Sequence, residues 1–272
     1  MHITDLPFAR GFIRVCDDGW LKGWHERNGG NLSYRLSKAE AEEAAPLFTT
    51  GDDWREIKTS VPALAGEYFM CTGSGKFMRN IRENPAANTC IIQVDESGAR
   101  YRLVWGLTEG GIPSSELPTH LMNHEVKKNA GSLCRVIYHA HPVNLISLTF
   151  VLPPEGKAFT RELWEAMTEC PVIFPEGVGT VPWMVPGGRD IAVASARLME
   201  TFNAVVWFHH GLFCAGATFD EAFGLMDAIE KAAEISVKIR SMGDGKKRQT
   251  ITTENLKQLA EGFGLSLSPL FI

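Results

Sequence analysis

Val136-Ile137-Tyr138-His139-Ala140-His141 is the stretch on which the reading of this chain turns. Three apolar, β-favouring residues predict a strand, and residues two apart on a strand point to the same side. His139 and His141 can therefore face one ion from a rigid backbone. Neutral imidazole is a common zinc ligand, and a catalytic zinc takes three protein ligands while keeping one position open. His210 is the candidate third ligand, because it follows the apolar run Ala204-Val205-Val206-Trp207-Phe208 and directly precedes Gly211. The pair alone points to a metal and names no reaction, and partly buried structural histidines show the same spacing.

Upstream of this strand the pattern predicts a helix over 115–128 and strands over 101–105, 90–94, 67–71 and 32–36. The first helix is expected over 6–22, with Phe8, Phe12, Cys16 and Trp20 as a buried stripe at four-residue spacing. Residues 37–57 are polar and acidic and read as a surface insertion. Downstream, helical stretches are expected from Pro142 and over 160–168, followed by a Pro- and Gly-rich loop over 175–188. A helix over 190–203 leads to a strand over 204–208. Thr218 and Glu221 have capping-box spacing and open a long helix to about 241, with a short helix over 253–262. Strands and helices interleave and no linker is visible. The expectation is a single α/β domain over 1–272, with a central, mostly antiparallel or mixed β-sheet flanked by helices.

The 272 residues carry a net charge of −5 and no long cluster of Lys or Arg, which argues against nucleic acid or an anionic membrane as partner. Of the six cysteines none forms a Cys-X-X-Cys pair, which argues against a disulfide framework or a cysteine zinc site. The N-terminus Met1-His2-Ile3-Thr4-Asp5 shows no basic-then-apolar leader, and no apolar run reaches the length of a membrane span. A cytoplasmic protein is expected.

Three small-residue turns stand at strand ends or helix starts: Asn28-Gly29-Gly30-Asn31, Thr72-Gly73-Ser74-Gly75 and Pro113-Ser114-Ser115-Glu116. Each offers backbone N–H groups with short hydroxyl or amide side chains, a chemistry suited to phosphate, and Ser114 and Ser115 stand at an expected helix N-terminus. Lys76 either adds charge there or is a solvated lysine. Glu116 follows the serine pair directly. It is either a proton acceptor beside a bound carbonyl substrate or a carboxylate that complements the helix dipole.

Together these residues resemble the class II, metal-dependent sugar-phosphate aldolases of the aldolase II/adducin group. The resemblance runs from about residue 12 to the long C-terminal helix. It is carried by residues 20–36 (WLKGWHERNGGNLSYRL), 72–80 (TGSGKFMRN), 105–118 (WGLTEGGIPSSELP), 138–148 (YHAHPVNLISL), the 159–187 block with LWEAMTEC and PWMVPG, and 210–243. It implies cleavage of a ketose phosphate to dihydroxyacetone phosphate and an aldehyde. His139, His141 and His210 would bind one zinc ion per subunit. Glu116 would be the catalytic acid/base, touching the metal when no substrate is present. Asn28, Gly29, Asn31, Ser74, Gly75, Ser114 and Ser115 would hold the phosphate end of the substrate. Glu169 would assist from a neighbouring subunit of a fourfold homotetramer. One departure is the pair His209-His210, where a single histidine before the glycine is expected; the ligand is assigned to His210, and His209 to a neighbouring role. An epimerase of the same superfamily, which recaptures its aldehyde, is the alternative, and a zinc hydratase or hydrolase a more distant one.

Overall fold

The Val136–Ala140 strand lies near the middle of a nine-stranded sheet and is buried at every residue. The structure is a computed structural model that describes residues 2–49, 51 and 53–272; Met1 of the N-terminal motif and Thr50 and Asp52 of the 37–57 insertion lie outside the described residues. The strands are β1 (Asn31–Arg35), β2 (Arg55–Glu56), β3 (Tyr68–Thr72), β4 (Thr89–Val94), β5 (Arg100–Gly106), β6 (Val136–Ala140), β7 (Gly179–Val181), β8 (Ala204–Trp207) and β9 (Gly211–Gly216). Their order is β2-β5-β4-β3-β1-β6-β9-β8-β7. Only β7 and β8 run parallel; the other pairings among the described residues are antiparallel. A mixed, mostly antiparallel sheet flanked by helices is what the interleaved pattern predicts.

The helices are α1 (Pro7–Leu21), α2 (Lys38–Ala44), α3 (Met78–Ile81), α4 (Pro85–Asn88), α5 (Leu117–Asn129), α6 (Val143–Leu148), α7 (Gly156–Trp164), α8 (Cys170–Ile173), α9 (Arg189–Met199), α10 (Phe219–Arg240) and α11 (Thr253–Phe263). Strand alternation sorts the core into two faces. Val136 and Tyr138 join Leu32, Tyr34 and Cys214 against Phe8 and Phe12 of α1 and Met226 and Ile229 of α10. Ile137 faces the other way, with Val205, Trp207 and Phe213, toward Ile191 and Met199 of α9. On that same side Leu117 and Leu121 of α5 pack on Phe69, Cys71 and Ile92. Fully burying one such apolar side chain is worth about 1.5–3 kcal/mol. His139 lies two residues from Ile137 and so emerges on the α5 side, directly opposite Asn31 of β1.

Several features differ from expectation. Trp20 is 37% exposed while Phe8, Phe12 and Cys16 are buried. Each four-residue step overshoots a full helical turn by about 40°, so position 20 has rotated about 120° from position 8. The Arg79 guanidinium covers the Trp20 ring at 5.6 Å instead. The 37–57 segment is more than a surface insertion. Ser37 caps α2 by accepting from the Glu40 amide at 3.2 Å, and β2 adds an edge to the sheet, with Ala44 and Ile57 buried. The 175–188 loop contains the edge strand β7. The helix expected over 160–168 lies earlier, at Gly156–Trp164. β9, by contrast, was not indicated by any periodicity: all six of its residues are buried, so apolar and polar positions do not alternate.

Candidate metal centre and active site

His139, His141 and His210 converge, with one ligand nitrogen from each within 4.8 Å of the others. His139 is the last residue but one of the central strand. Its Nδ1–H donates to the Leu212 carbonyl on β9 at 3.1 Å, and its ring stacks on Phe213 with centroids 4.1 Å apart. These contacts leave Nε2 facing outward. His141 follows the last residue of β6, and its Nδ1–H donates to the Glu26 carboxylate at 2.7 Å. Its Nε2 is buried and has no hydrogen-bond partner. His210 closes the turn between β8 and β9. Its Nε2 stands 3.4 Å from that of His139.

The donor set fits a divalent metal. Two nitrogens bound at about 2.05 Å in tetrahedral geometry stand roughly 3.3 Å apart, close to the observed His139–His210 spacing. The partnerless Nε2 of His141 is a buried lone pair aimed at the same point. A ligating histidine whose other nitrogen is tied to a carboxylate or carbonyl is held in one tautomer and orientation, and Glu26 and the Leu212 carbonyl do this here. Burial, and then the neighbouring imidazoles, push the His139 pKa well below its ordinary value; burial and His141 lower that of His210 to about 4. Both are thus neutral near pH 7, the form that binds metal.

Glu116 is buried over this cluster, with Oε2 at 3.6 Å from His139 Nε2 and Oε1 at 3.9 Å from His210 Nε2. It occupies the cap position of α5, yet its side chain makes no capping bond. The carboxylate turns into the cleft and accepts from Asn31 Nδ2 at 2.7 Å. Burial raises its pKa above the ordinary carboxylate value, against the pull of the Asn31 bond and of His141. A carboxylate so placed is a stronger base than one in water.

All three small-residue turns border the same cleft. Asn28, Gly29, Gly30, Asn31, Gly73, Ser74, Gly75, Ser114, Ser115 and Glu116 line it together with the three histidines. The second and third turns are zipped by the amides of Ser74 and Ser114, which donate to Ile112 and Thr72 at 2.8 and 2.9 Å. Those two N–H groups are therefore used within the protein, and the helix starts at Leu117, later than expected. The first turn is pinned by His25, whose Nδ1–H donates to the Gly29 carbonyl at 3.0 Å while Nε2 accepts from the Tyr138 hydroxyl at 2.8 Å. Gly30 has φ +73°, and a Cβ there would strike His25 and the His139 carbonyl. Only glycine is easily accommodated at that point.

Other residues fall outside the cluster. Glu169 is exposed at the start of α8, and neither it nor Lys76 lines the cleft. His209 has φ +56° in the turn, with its Nδ1 3.0 Å from Thr149 Oγ1 and its ring against Phe150, which leaves His210 alone to reach the metal point. The sequence reading did not single out Glu26, His25, His120 or His124. The last two had a legible signal, since Glu116, His120 and His124 recur at four-residue steps along α5. Nothing local marks Glu26 or His25, which act only where the first turn folds back onto β6.

The Class II Aldolase and Adducin N-terminal domain family matches residues 10–237, and the chain belongs to that family. Within it, a rhamnulose-1-phosphate aldolase of Mannheimia succiniciproducens is 50% identical over 266 residues, 97% of each chain. One of Klebsiella pneumoniae is 48% identical over 264 residues, covering 97% of this chain and 95% of its own. The crystal structure of a sugar-phosphate aldolase from Thermotoga maritima has a TM-score of 0.71 at 27% identity, over 86% of this chain and 95% of that one.

Proposed function

We infer that this chain is a rhamnulose-1-phosphate aldolase, an aldehyde-lyase that reversibly cleaves L-rhamnulose 1-phosphate to dihydroxyacetone phosphate and L-lactaldehyde. The observation that carries the reading is the placement of Glu116 beside three converging histidines, in a cleft rimmed by the three small-residue turns. About half the residues are shared with relatives of that name over nearly the whole chain, which supports the substrate.

His139, His141 and His210 would hold one zinc ion per subunit. When bound, such an ion supplies Lewis-acid stabilisation of charge on the ketose oxygens. Asn28, Gly29, Asn31, Ser74, Gly75, Ser114 and Ser115 would seat the phosphate by hydroxyl, amide and remaining N–H donors, which fixes the sugar's near end beside Glu116. As the bond between the two three-carbon halves breaks, its electron pair stays with the dihydroxyacetone phosphate half. The hydroxyl of the other half becomes the aldehyde carbonyl by giving up its proton, which the ionised Glu116 would take up. Glu116 delivers a proton to the carbon of the dihydroxyacetone phosphate half, and removes it in the synthetic direction. Burial suits it to both tasks, because a raised pKa makes the carboxylate readier to hold a proton and still able to release it. Glu169, exposed and away from its own cleft, would act in a neighbouring subunit of a homotetramer. No helix among the described residues is long and apolar enough to cross a membrane, and a cytoplasmic location is in keeping with the sugar-phosphate substrate.

The test is to incubate zinc-loaded protein with L-rhamnulose 1-phosphate and follow dihydroxyacetone phosphate with and without a chelator. Chelator-sensitive release of both products is expected. Epimerised ketose phosphate without free aldehyde would overturn the reading in favour of an epimerase.

A further inference from the structure

Behind Glu116 a chain of polar side chains runs into the core between α5 and β1. Asn31 Nδ2–H donates to Glu116 Oε2 at 2.7 Å, and the other end of the same amide, Oδ1, pairs with His120 Nε2. His120 Nδ1 lies 2.7 Å from the Ser33 hydroxyl, which lies 2.8 Å from His124 Nε2. The direction of every bond follows from the carboxylate. An ionised Glu116 only accepts, so the Asn31 nitrogen faces it and the Asn31 oxygen faces His120. His120 must then donate from Nε2, and burial, which lowers its pKa to about 3, keeps it neutral, so Nδ1 accepts from the Ser33 O–H. The Ser33 oxygen in turn accepts from His124 Nε2–H. The chain stops there, because His124 Nδ1 is buried with no partner and its ring lies against Phe69, with centroids 5.2 Å apart.

We propose that His120 and Ser33, backed by His124, are positioning residues that lock the Asn31 amide and thereby the Glu116 carboxylate in the orientation proton transfer requires. The proposal rests on the acid–base role of Glu116 given above. It gives Asn31 a role toward Glu116, with one N–H of its amide on the carboxylate and its oxygen on His120, while the second amide N–H stays available to the cleft. A proton-exit path is ruled out by the closed inner end: His120 and His124 are 2% and 0% exposed. What remains is a one-way string of donors whose outer end is a catalytic carboxylate. The His120 ring is held in place by an edge contact to Phe213, the residue that stacks under His139. The string and the metal ligands therefore share one support.

The test compares wild type, His120→Phe, His120→Gln and Ser33→Ala, all zinc-loaded. The readouts are bound metal, kcat and KM for ketose phosphate cleavage, hydrogen–deuterium exchange into dihydroxyacetone phosphate, and the imidazole nitrogen NMR shifts of His120. His120→Phe keeps the ring shape and removes the donor. It is expected to lower kcat and exchange about 10- to 100-fold, the effect of losing one hydrogen bond to a charged group's partner. Metal content and KM should stay within about threefold. His120→Gln places an amide donor where Nε2 stood and should recover most of the loss. Ser33→Ala should lower exchange in the same sense and carries the test if His120→Phe does not fold. Wild-type His120 should be the Nε2–H tautomer. The proposal is overturned by wild-type exchange in His120→Phe or Ser33→Ala, by equal loss in the Phe and Gln variants (a packing role), by a rise in KM alone, or by the Nδ1–H tautomer. A wild-type protein that neither cleaves nor exchanges would refute the proposed function itself, and this role with it.

Discussion

Replacing Gly211 by Ala probes how tightly the sheet holds the three converging histidines. Gly211 begins β9, beside the end of β6, and is buried. A Cβ built there would come 2.9 Å from His139 Cε1 and 2.9 Å from His141 Cδ2, and closer still to the Ala140 carbonyl oxygen. Carbon atoms sit best at about 3.5 Å or more, so each ring would have to move by roughly 0.6 Å, or β9 would have to part from β6. Metal–ligand distances tolerate only about ±0.2 Å, so the site cannot absorb that movement. Overpacking of this kind costs about 1–3 kcal/mol, and disturbing the supports of ligand histidines weakens metal binding about 10- to 100-fold. Zinc affinity would be measured by competition with a chelator of known affinity, and stability by calorimetry, where each kcal/mol should lower Tm by about 2–4 °C. A Gly211→Ala protein with wild-type affinity and melting temperature would refute the argument. It would mean that β6 and β9 slide apart without moving the ligands.

Glu26→Gln should weaken zinc binding about tenfold, because the His141 tautomer loses its carboxylate anchor; unchanged affinity in the chelator competition would show that the ring needs no anchor. His25 is a source of acid sensitivity: burial lowers its pKa from 6.5 to about 4, against the Gly29 carbonyl bond. The unfolded chain takes up a proton below about pH 6.5 and the folded protein resists until about 4. Stability from this group is therefore complete above 6.5 and falls away toward 4, by up to about 3 kcal/mol. Urea midpoints across that range should slope less in His25→Gln, and an unaltered slope would place the sensitivity elsewhere. Gly224 lies exposed within α10, and a Cβ there would meet nothing within 4 Å. Gly224→Ala should add about 0.5–1 kcal/mol by helix propensity, and a lower melting temperature would contradict this.

The legible parts of the fold were those with a local signature. β6 was readable because three β-favouring apolar residues precede the histidines, and the start of α10 because Thr218 caps it by accepting from the Glu221 amide at 3.1 Å. β9 was not, because a strand buried on both faces carries no period, and β7 was hidden by the glycines and prolines around it. Trp20 was misplaced because four-residue spacing drifts around a helix, a departure that grows with length.

What the sequence determined by itself was chemistry and its strand-borne half: two imidazoles two residues apart, a carboxylate after a serine pair, and three small-residue turns. Those are local properties of residue type and spacing. Only the tertiary structure decided which of them share a cleft. His210 joins His139 and His141 because the β8–β9 turn bends at His209 and returns as β9 beside β6. Glu116 faces the same point because α5 lies over β1, where Asn31 stands opposite His139. Glu26 and His25 gain their roles when the first turn closes on the end of β6, more than a hundred residues away in the chain. Such contacts depend on pairing register between distant strands, and no local pattern encodes that.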